Sequence, residues 1–407
     1  MTAPNTTEWP LAIGRGLDRA TGKASVQPQY PVDARNIQAQ SAKMSVRSGM
    51  ADTGFPPLEW GTHILEIIPI KATGDDLFVV FDSVSRDIRI YRLYVDGSAM
   101  QELAVAHGKW GTVNINADFP VISWAESDGK VMLAHAEDSI SLRLQTIYYT
   151  PNWANMTLPG TLTGVTADLD GAGAAAVYFR GVYTHLVYMC GYGYGSASDP
   201  DRGDTLRFSQ PGDPVTFKAS AFVLFGVKRD PIVAAGLVDS GLVLAKENET
   251  WMMDGLTGSQ FVPRLLDSNY GAKSLRGMIS YGQSLLMYSE DGPRSVTSAN
   301  TMPIGKALEL TSPLPDSLPA FGPTRLCFAV ADVERYTVEW LFPDVEAVDF
   351  TRVTGIMLSL YDPQDPRWTF TVRELPVICG GLKYGTDFGG APAAPVGYPS
   401  ATSAGDV

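Results

Sequence analysis

Four histidines, His63, His107, His135 and His185, are the side chains best suited to acid–base or metal chemistry near neutral pH. No two of them stand two or four positions apart, the spacing at which a strand or helix offers a pair to zinc. Structural or surface places are predicted for each. The three cysteines, Cys190, Cys327 and Cys379, are odd in number, far apart and without a Cys-x-x-Cys. That argues against a disulfide framework and against a zinc ribbon. Gly-x-Ser-x-Gly and Gly-x-x-x-x-Gly-Lys-Ser/Thr are both absent, which disfavours the nucleophile-elbow hydrolase and the P-loop. Asp199, Asp201 and Asp204 fall at i, i+2, i+5, and Asp168 and Asp170 precede Gly171. Oxygen-rich loops hold calcium, but neither set completes the twelve-residue loop or carries its final Glu. Turn chemistry accounts for both, with a weak calcium site at Asp199, Asp201 and Asp204 left open.

Three further patterns give no site. Gly191-Tyr192-Gly193-Tyr194-Gly195 lacks the third glycine of a dinucleotide fingerprint, and no helical pattern follows it. It reads as a tightly turned loop. Ser289-Glu290-Asp291-Gly292 resembles the Asp-box turn of sialidases, but Gly follows Asp directly and no aromatic residue comes after. Glu247 and Glu249 alternate along a strand and read as a solvated edge. The expectations are therefore no catalytic residues, no cofactor, no metal, no hydrolase activity and no enzyme.

The elements that carry these residues are strands. The chain has 407 residues, 45% of them hydrophobic and 18% charged, with 40 Gly and 28 Pro, a globular composition rich in turns. From about residue 61, short β-branched or aromatic runs recur between Gly, Asp, Asn and Pro. Ile232–Leu237, Leu242–Lys246 and Thr250–Met253, with Asp239-Ser240-Gly241 and Asp254-Gly255 at their ends, make one strand–turn unit. Gly277–Ser280, Ser284–Tyr288 and Arg294–Thr297 repeat it. Arg325–Ala331 with Tyr336–Leu341 reads as a third copy, and Ile356–Tyr361 with Trp368–Leu375 as a fourth. Asp-Gly suits the turns of hairpins, and a recurrence of roughly 40–60 residues matches a four-stranded propeller blade. Alternating strand–helix units are absent. The fold class expected is all-β, a β-propeller of about six to eight blades.

Residues 61–388 form this predicted propeller. Residues 1–60, rich in Pro, Gly, Ser and Thr, read as an N-terminal arm with short strands. Residues 389–407 read as a Gly/Ala/Pro/Ser-rich tail, too poor in apolar surface to fold alone. Met1–Pro10 is polar, so no secretory leader is expected, and the sequons at Asn5, Asn155 and Asn248 carry no weight. No run approaches the length of a membrane-spanning helix.

Charge limits the partners. The formal net charge is −13, from 31 basic and 44 acidic residues. Lasting attachment to nucleic acid needs Lys and Arg to displace counterions from phosphates. The densest basic stretch, Arg86 to Arg92, alternates with Ile88 and Ile90 at period two. It reads as a strand with a solvated outer face.

One segment carries a resemblance. Leu206-Arg207-Phe208-Ser209-Gln210-Pro211-Gly212-Asp213-Pro214-Val215-Thr216-Phe217 is followed by Ile232-Val233-Ala234-Ala235-Gly236-Leu237, then Leu242–Lys246, then Glu247-Asn248-Glu249-Thr250-Trp251 and Asp254-Gly255. Gly271 to Gly277 and Leu285 to Pro293 continue the pattern, as do Leu358 to Asp362 with Arg367-Trp368-Thr369. Near the start, Arg35-Asn36 and Arg47-Ser48-Gly49 resemble an "Asn … Arg-Pro-Gly" opening, with Ser48 in place of Pro. This series resembles the β-propeller nozzle or hub proteins of short-tailed bacteriophages. The resemblance implies a virion tail protein arranged as a homohexameric ring that forms part of the DNA-ejection conduit. It implies portal, adaptor and other tail proteins as partners, passage of DNA without specific binding, no membrane insertion, and synthesis in the host cytoplasm. An acidic wall would let a duplex slide rather than stick. Two alternatives remain: a carbohydrate-binding or depolymerising propeller of the receptor-binding kind, and a cellular propeller scaffold. Trp60, Trp110, Trp124, Trp153, Trp251, Trp340 and Trp368 lie mostly in strand patterns, which places them in the core rather than on a glycan surface.

Overall fold

The computed structural model describes two short hairpins within 37–46 and 377–399, and most residues between 62 and 373 apart from several connecting loops. Six four-stranded antiparallel sheets follow one another along the chain, each a meander in sequence order. Blade one comprises Thr62–Pro69, Asp76–Asp82, Asp87–Leu93 and Met100–Glu102; blade two comprises Ile122–Ser127, Lys130–His135, Ile147–Thr150 and Thr161–Gly164. Blade three is Gly181–His185, Tyr188–Tyr192, Thr205–Gln210 and Asp213–Leu224, and blade four is Ile232–Val238, Gly241–Lys246, Thr250–Asp254 and Val262–Asp267. Blade five is Met278–Tyr281, Ser284–Ser289, Gly292–Val296 and Thr301–Pro303, and blade six is Phe328–Asp332, Thr337–Phe342, Val353–Ser359 and Arg367–Arg373. The protein is a six-bladed β-propeller.

From blade one through blade six, the first strand of each blade touches the first strand of the one that follows, so these strands form the inner wall of the ring. Between blades six and one the wall is continued by Val377–Lys383, which pairs with Ala394–Pro399 and lies against both Phe328–Asp332 and Thr62–Pro69. A strand thus falls inside the segment read as low-complexity tail, paired within the same chain. The N-terminal hairpin, Ile37–Gln40 with Lys43–Val46, lies against Arg367–Arg373 at the rim of blade six.

The sequence builds the blades in two ways. Middle strands are covered on both faces by neighbouring blades, so Gly241–Lys246, Thr337–Phe342 and Val353–Ser359 are buried along their whole length. The core is accordingly divided into apolar layers between successive blades. Phe179, Val182 and Met189 meet Met132 and Ala134 between blades two and three. Leu206 and Phe208 meet Leu242, Leu244 and Met253 between blades three and four. Tight hairpins set the register: Ser127 pairs with Lys130, and the two residues between them, Asp128 and Gly129, both have φ > 0, as a two-residue hairpin requires.

Two expectations change. The third and fourth sequence units are halves of one blade, because Thr337–Phe342 pairs along its length with Val353–Ser359. The strand Asp87–Leu93 does alternate, with Ile88 and Ile90 buried, but Arg92 is buried too. It shares the inward face of Ile88 and Ile90 and forms an ion pair with Asp75 at 2.5 Å, so that face is not purely apolar.

Candidate functional site

Two arginines reach between blades that are not neighbours. Arg276 precedes the inner strand of blade five, and its carbonyl accepts a hydrogen bond from the Ala329 amide at 2.9 Å. Its guanidinium passes over the Phe328 ring at 5.7 Å. The far end arrives at blade one, where Nη1 donates to the Leu65 carbonyl at 2.8 Å and to Glu66 Oε2 at 3.3 Å. Arg325, ahead of the inner strand of blade six, donates to the Phe119 carbonyl ahead of blade two at 3.0 Å. These contacts cross the middle of the ring and tie its halves together.

Glu66 is 7% exposed and lies on an inner strand that bulges between Ile64 and Glu66. Burial pushes its carboxyl above the ordinary range, opposed by the charge and hydrogen bond of Arg276 and by a hydrogen bond from the Trp124 indole of blade two. One carboxylate therefore joins blades one, two and five. Its surroundings are otherwise apolar: Leu65, Ile68, Phe119, Leu326 and Phe328 form one buried cluster with Trp124, Leu275 and Val330 against it. A buried pair of this kind holds geometry well, but its desolvation cost offsets much of its attraction.

Close by, the Cys327 thiol is buried, and that burial raises its pKa against the opposing influence of Ser274 and Arg276. Cys190 is pushed up to about 12 by burial. Both thiols are free, and neither is disposed to form the thiolate that nucleophilic chemistry needs.

The other sequence candidates stay apart. His63 lies edge-on to Phe119 at 5.4 Å, His135 is buried with its pKa lowered to about 4, and His185 is buried beside Phe261 at 5.8 Å. His107, Asp170, Asp199 and Asp201 lie outside the described residues. Asp168 Oδ1 accepts from the amides of Gly171 and Gly173 at 2.8 and 3.3 Å, the work of a turn. Asp204 is buried just ahead of the third strand of blade three, where its carbonyl accepts from the Phe225 amide at 3.0 Å. Among the described residues no three His, Cys, Asp or Glu side chains gather as a metal site. Gly191 closes under the Phe179 ring and Gly193 has φ 65°, so the glycine run ends a strand. Asp291 accepts from Arg294 at 2.5 Å across the hairpin turn that resembled an Asp-box. Glu249 accepts from the Trp251 indole at 2.9 Å and faces buried Lys246 at 3.6 Å, while Glu247 faces Lys273.

Sequence reasoning missed the axial pair. Glu66 and Arg276 are 210 residues apart, and no local spacing joins them. The tryptophan expectation also needs correction. Trp110 and Trp340 are fully buried and Trp124 and Trp251 partly so, but Trp153 is 56% exposed. It lies on the turn at Gly129, where any Cβ would come within 2.6 Å of the indole.

No family model matches the chain, and no curated protein matches it. Solved structures do. Puromycin hydrolase aligns at 12% identity and a TM-score of 0.40, over 73% of this chain and 50% of that one, so the chain spans about half the length of that structure. Kluyvelomyces marxianus Hsv2 aligns at 8% identity and a TM-score of 0.32, over 76% of this chain and 96% of that one. At these identities the likeness concerns architecture alone. It does remove one expectation. A hydrolase stands among the structures similar to this chain, so the reading of the chain as a non-enzyme is withdrawn. A fold by itself neither confers nor forbids a reaction.

Proposed function

We propose that the chain is a ring-forming nozzle or hub protein of a short-tailed bacteriophage, built into the conduit through which DNA leaves the particle. The observation that carries this reading is the run Leu206–Phe217 with its continuation through Asp254-Gly255. In the fold this run is the outer hairpin of blade three, and the continuation is the first three strands of blade four. The pattern therefore corresponds to one contiguous block.

Its residues have definite work there. Gly212 turns the hairpin at φ 71°, Asp213 Oδ1 accepts from the Val215 amide at 3.3 Å, and Phe217 is buried between blades. Buried Arg207 donates to the Ala219 carbonyl at 2.7 Å and lies between the rings of Tyr194 and Phe222. It holds a bulge over 218–221, where the register slips between Arg207 and Ser209. Bulges at sheet edges re-aim side chains and limit further pairing.

The centre of one propeller is bridged by Arg276 and Arg325, so the duplex in this reading passes through a ring of copies, a homohexamer, held by portal, adaptor and other tail proteins. The net charge of −13 suits a wall that DNA passes without lasting attachment. The test is made on intact virions. Mass spectrometry should find the chain in purified particles, and a symmetry-resolved image of the tail should place it as a ring around the axis. Absence from particles, or a place only in peripheral fibres, overturns the reading.

A further inference from the structure

A ring of blades has to close where the last blade meets the first. A main-chain ladder closes it when one blade draws strands from both ends of the chain. Here none does: all six four-stranded sheets are contiguous in sequence, and neither end hairpin pairs with a blade strand among the described residues.

The apolar layers show the same break. Each interface from blade one round to blade six has a buried cluster drawn from both neighbours. On the other face of blade one, Ile64, Ile67, Phe78, Val80 and Leu93 form a buried cluster drawn from that blade alone among the described residues. Phe78 and Val80 alternate along their strand with Leu77 and Val79, which pack toward blade two, so this cluster looks toward blade six. The strand Val377–Lys383 lies between, against Thr62–Pro69 on one side and Phe328–Asp332 on the other. Only near the axis do Leu326 and Phe328, at the start of blade six, reach the cluster that contains Leu65.

Both contacts across the ring span this same junction. Arg276 is held on the side of blades five and six, where its carbonyl accepts from the Ala329 amide, and its guanidinium bonds to Leu65 and Glu66 of blade one. Arg325 stands ahead of blade six and bonds to Phe119 ahead of blade two.

We propose that the junction of blades six and one is a latch at which the ring opens, with the hairpin of 377–399 as its wedge and Arg276 and Arg325 as its staples. A two-stranded hairpin is marginal by itself in water, so the wedge is held by the faces beside it more than by its own ladder. Proteins open in cooperative units, and the unit with the fewest ladders at its border opens first. Opening here parts blade one from blade six and leaves every ladder within the blades intact. It also withdraws both arginines from the axis, since each is anchored on one side of the junction and bonded on the other. The latch belongs to the single chain and stands apart from the conduit reading.

Native-state hydrogen exchange of the full chain in low denaturant tests it. Asp76–Asp82 of blade one and Gly241–Lys246 of blade four are a matched pair, each the second strand of its blade and laddered on both sides. The wild type should lose protection at 377–399 and at Asp76–Asp82 together, about tenfold or more faster than at Gly241–Lys246. Gly380→Pro, which interrupts the wedge, should speed exchange at Asp76–Asp82 and leave Gly241–Lys246 unchanged. Arg325→Met should do the same with the wedge untouched, and it decides the matter if circular dichroism shows Gly380→Pro unfolded. Equal protection of the two strands in the wild type overturns the latch. So does a folded variant in which Asp76–Asp82 is unaffected, or in which both strands speed up alike.

Discussion

His135 ends the second strand of blade two, and burial, followed by the charge of Arg143, lowers its pKa to about 4. Burial lowers His63 and His185 as well, and both ring nitrogens of His185 are enclosed without a protein partner. A histidine held neutral in the native state leaves stability unaffected above the unfolded pKa of about 6.5. As pH falls below that value, the unfolded chain takes up a proton that the native chain refuses, so stability declines until the native group titrates near 4. For His135 alone the loss amounts to about 3 kcal/mol. Urea unfolding at pH 7 and near pH 4.5 should show the wild type losing stability, and His135→Leu should lose measurably less. Equal losses in both would mean that His135 is not the titrating group.

At the scale of the element, the hairpin of blade two shows how a short local sequence and a distant side chain fix one structure. Asp128 and Gly129 both adopt φ > 0, at 48° and 66°, and the Trp153 indole lies directly over the glycine. A side chain at this position meets two penalties, the left-handed backbone and the ring above it. Gly129→Val should therefore cost about 2 kcal/mol or more, with the β-branched residue strained at this φ. It should also shift the emission of Trp153, which the larger residue must displace. An unchanged unfolding midpoint and an unchanged spectrum would show that the indole does not rest on the turn. The Asp-Gly signal was legible in the sequence, since it reports local conformation. The position of Trp153 was not, since a connection outside the strands carries it back over the turn.

At the scale of the molecule, the ring is held by apolar layers between blades and by two arginine contacts across its middle. Removing one member of a buried ion pair leaves the other uncompensated, at about 3–5 kcal/mol, whereas removing both costs less than the sum. Glu66→Gln and Arg276→Met should each lower the denaturation midpoint, with the double variant milder than the two losses added. Strict additivity would mean that the two groups do not act on one another. The brace also bears on the proposed conduit, because it leaves the axis of a single propeller crossed by side chains and gives the passage of DNA to the assembly.

The sequence by itself determined what depends on neighbours along the chain. Period-two runs and Asp-Gly turns defined most of the strands, and the recurrence of the unit identified a propeller. The all-β class follows because a strand's alternation and a turn's φ are set within a few residues. Only the tertiary structure decided how the units are divided and what meets at the centre. Thr337–Phe342 and Val353–Ser359 became partners in one blade because a ladder formed across a connection whose sequence does not announce it. Arg92 was drawn inward because Asp75 awaits it from the first turn of the blade. Glu66 and Arg276 met because closing the ring brings blades one and five to a common axis, a distance that no local spacing encodes.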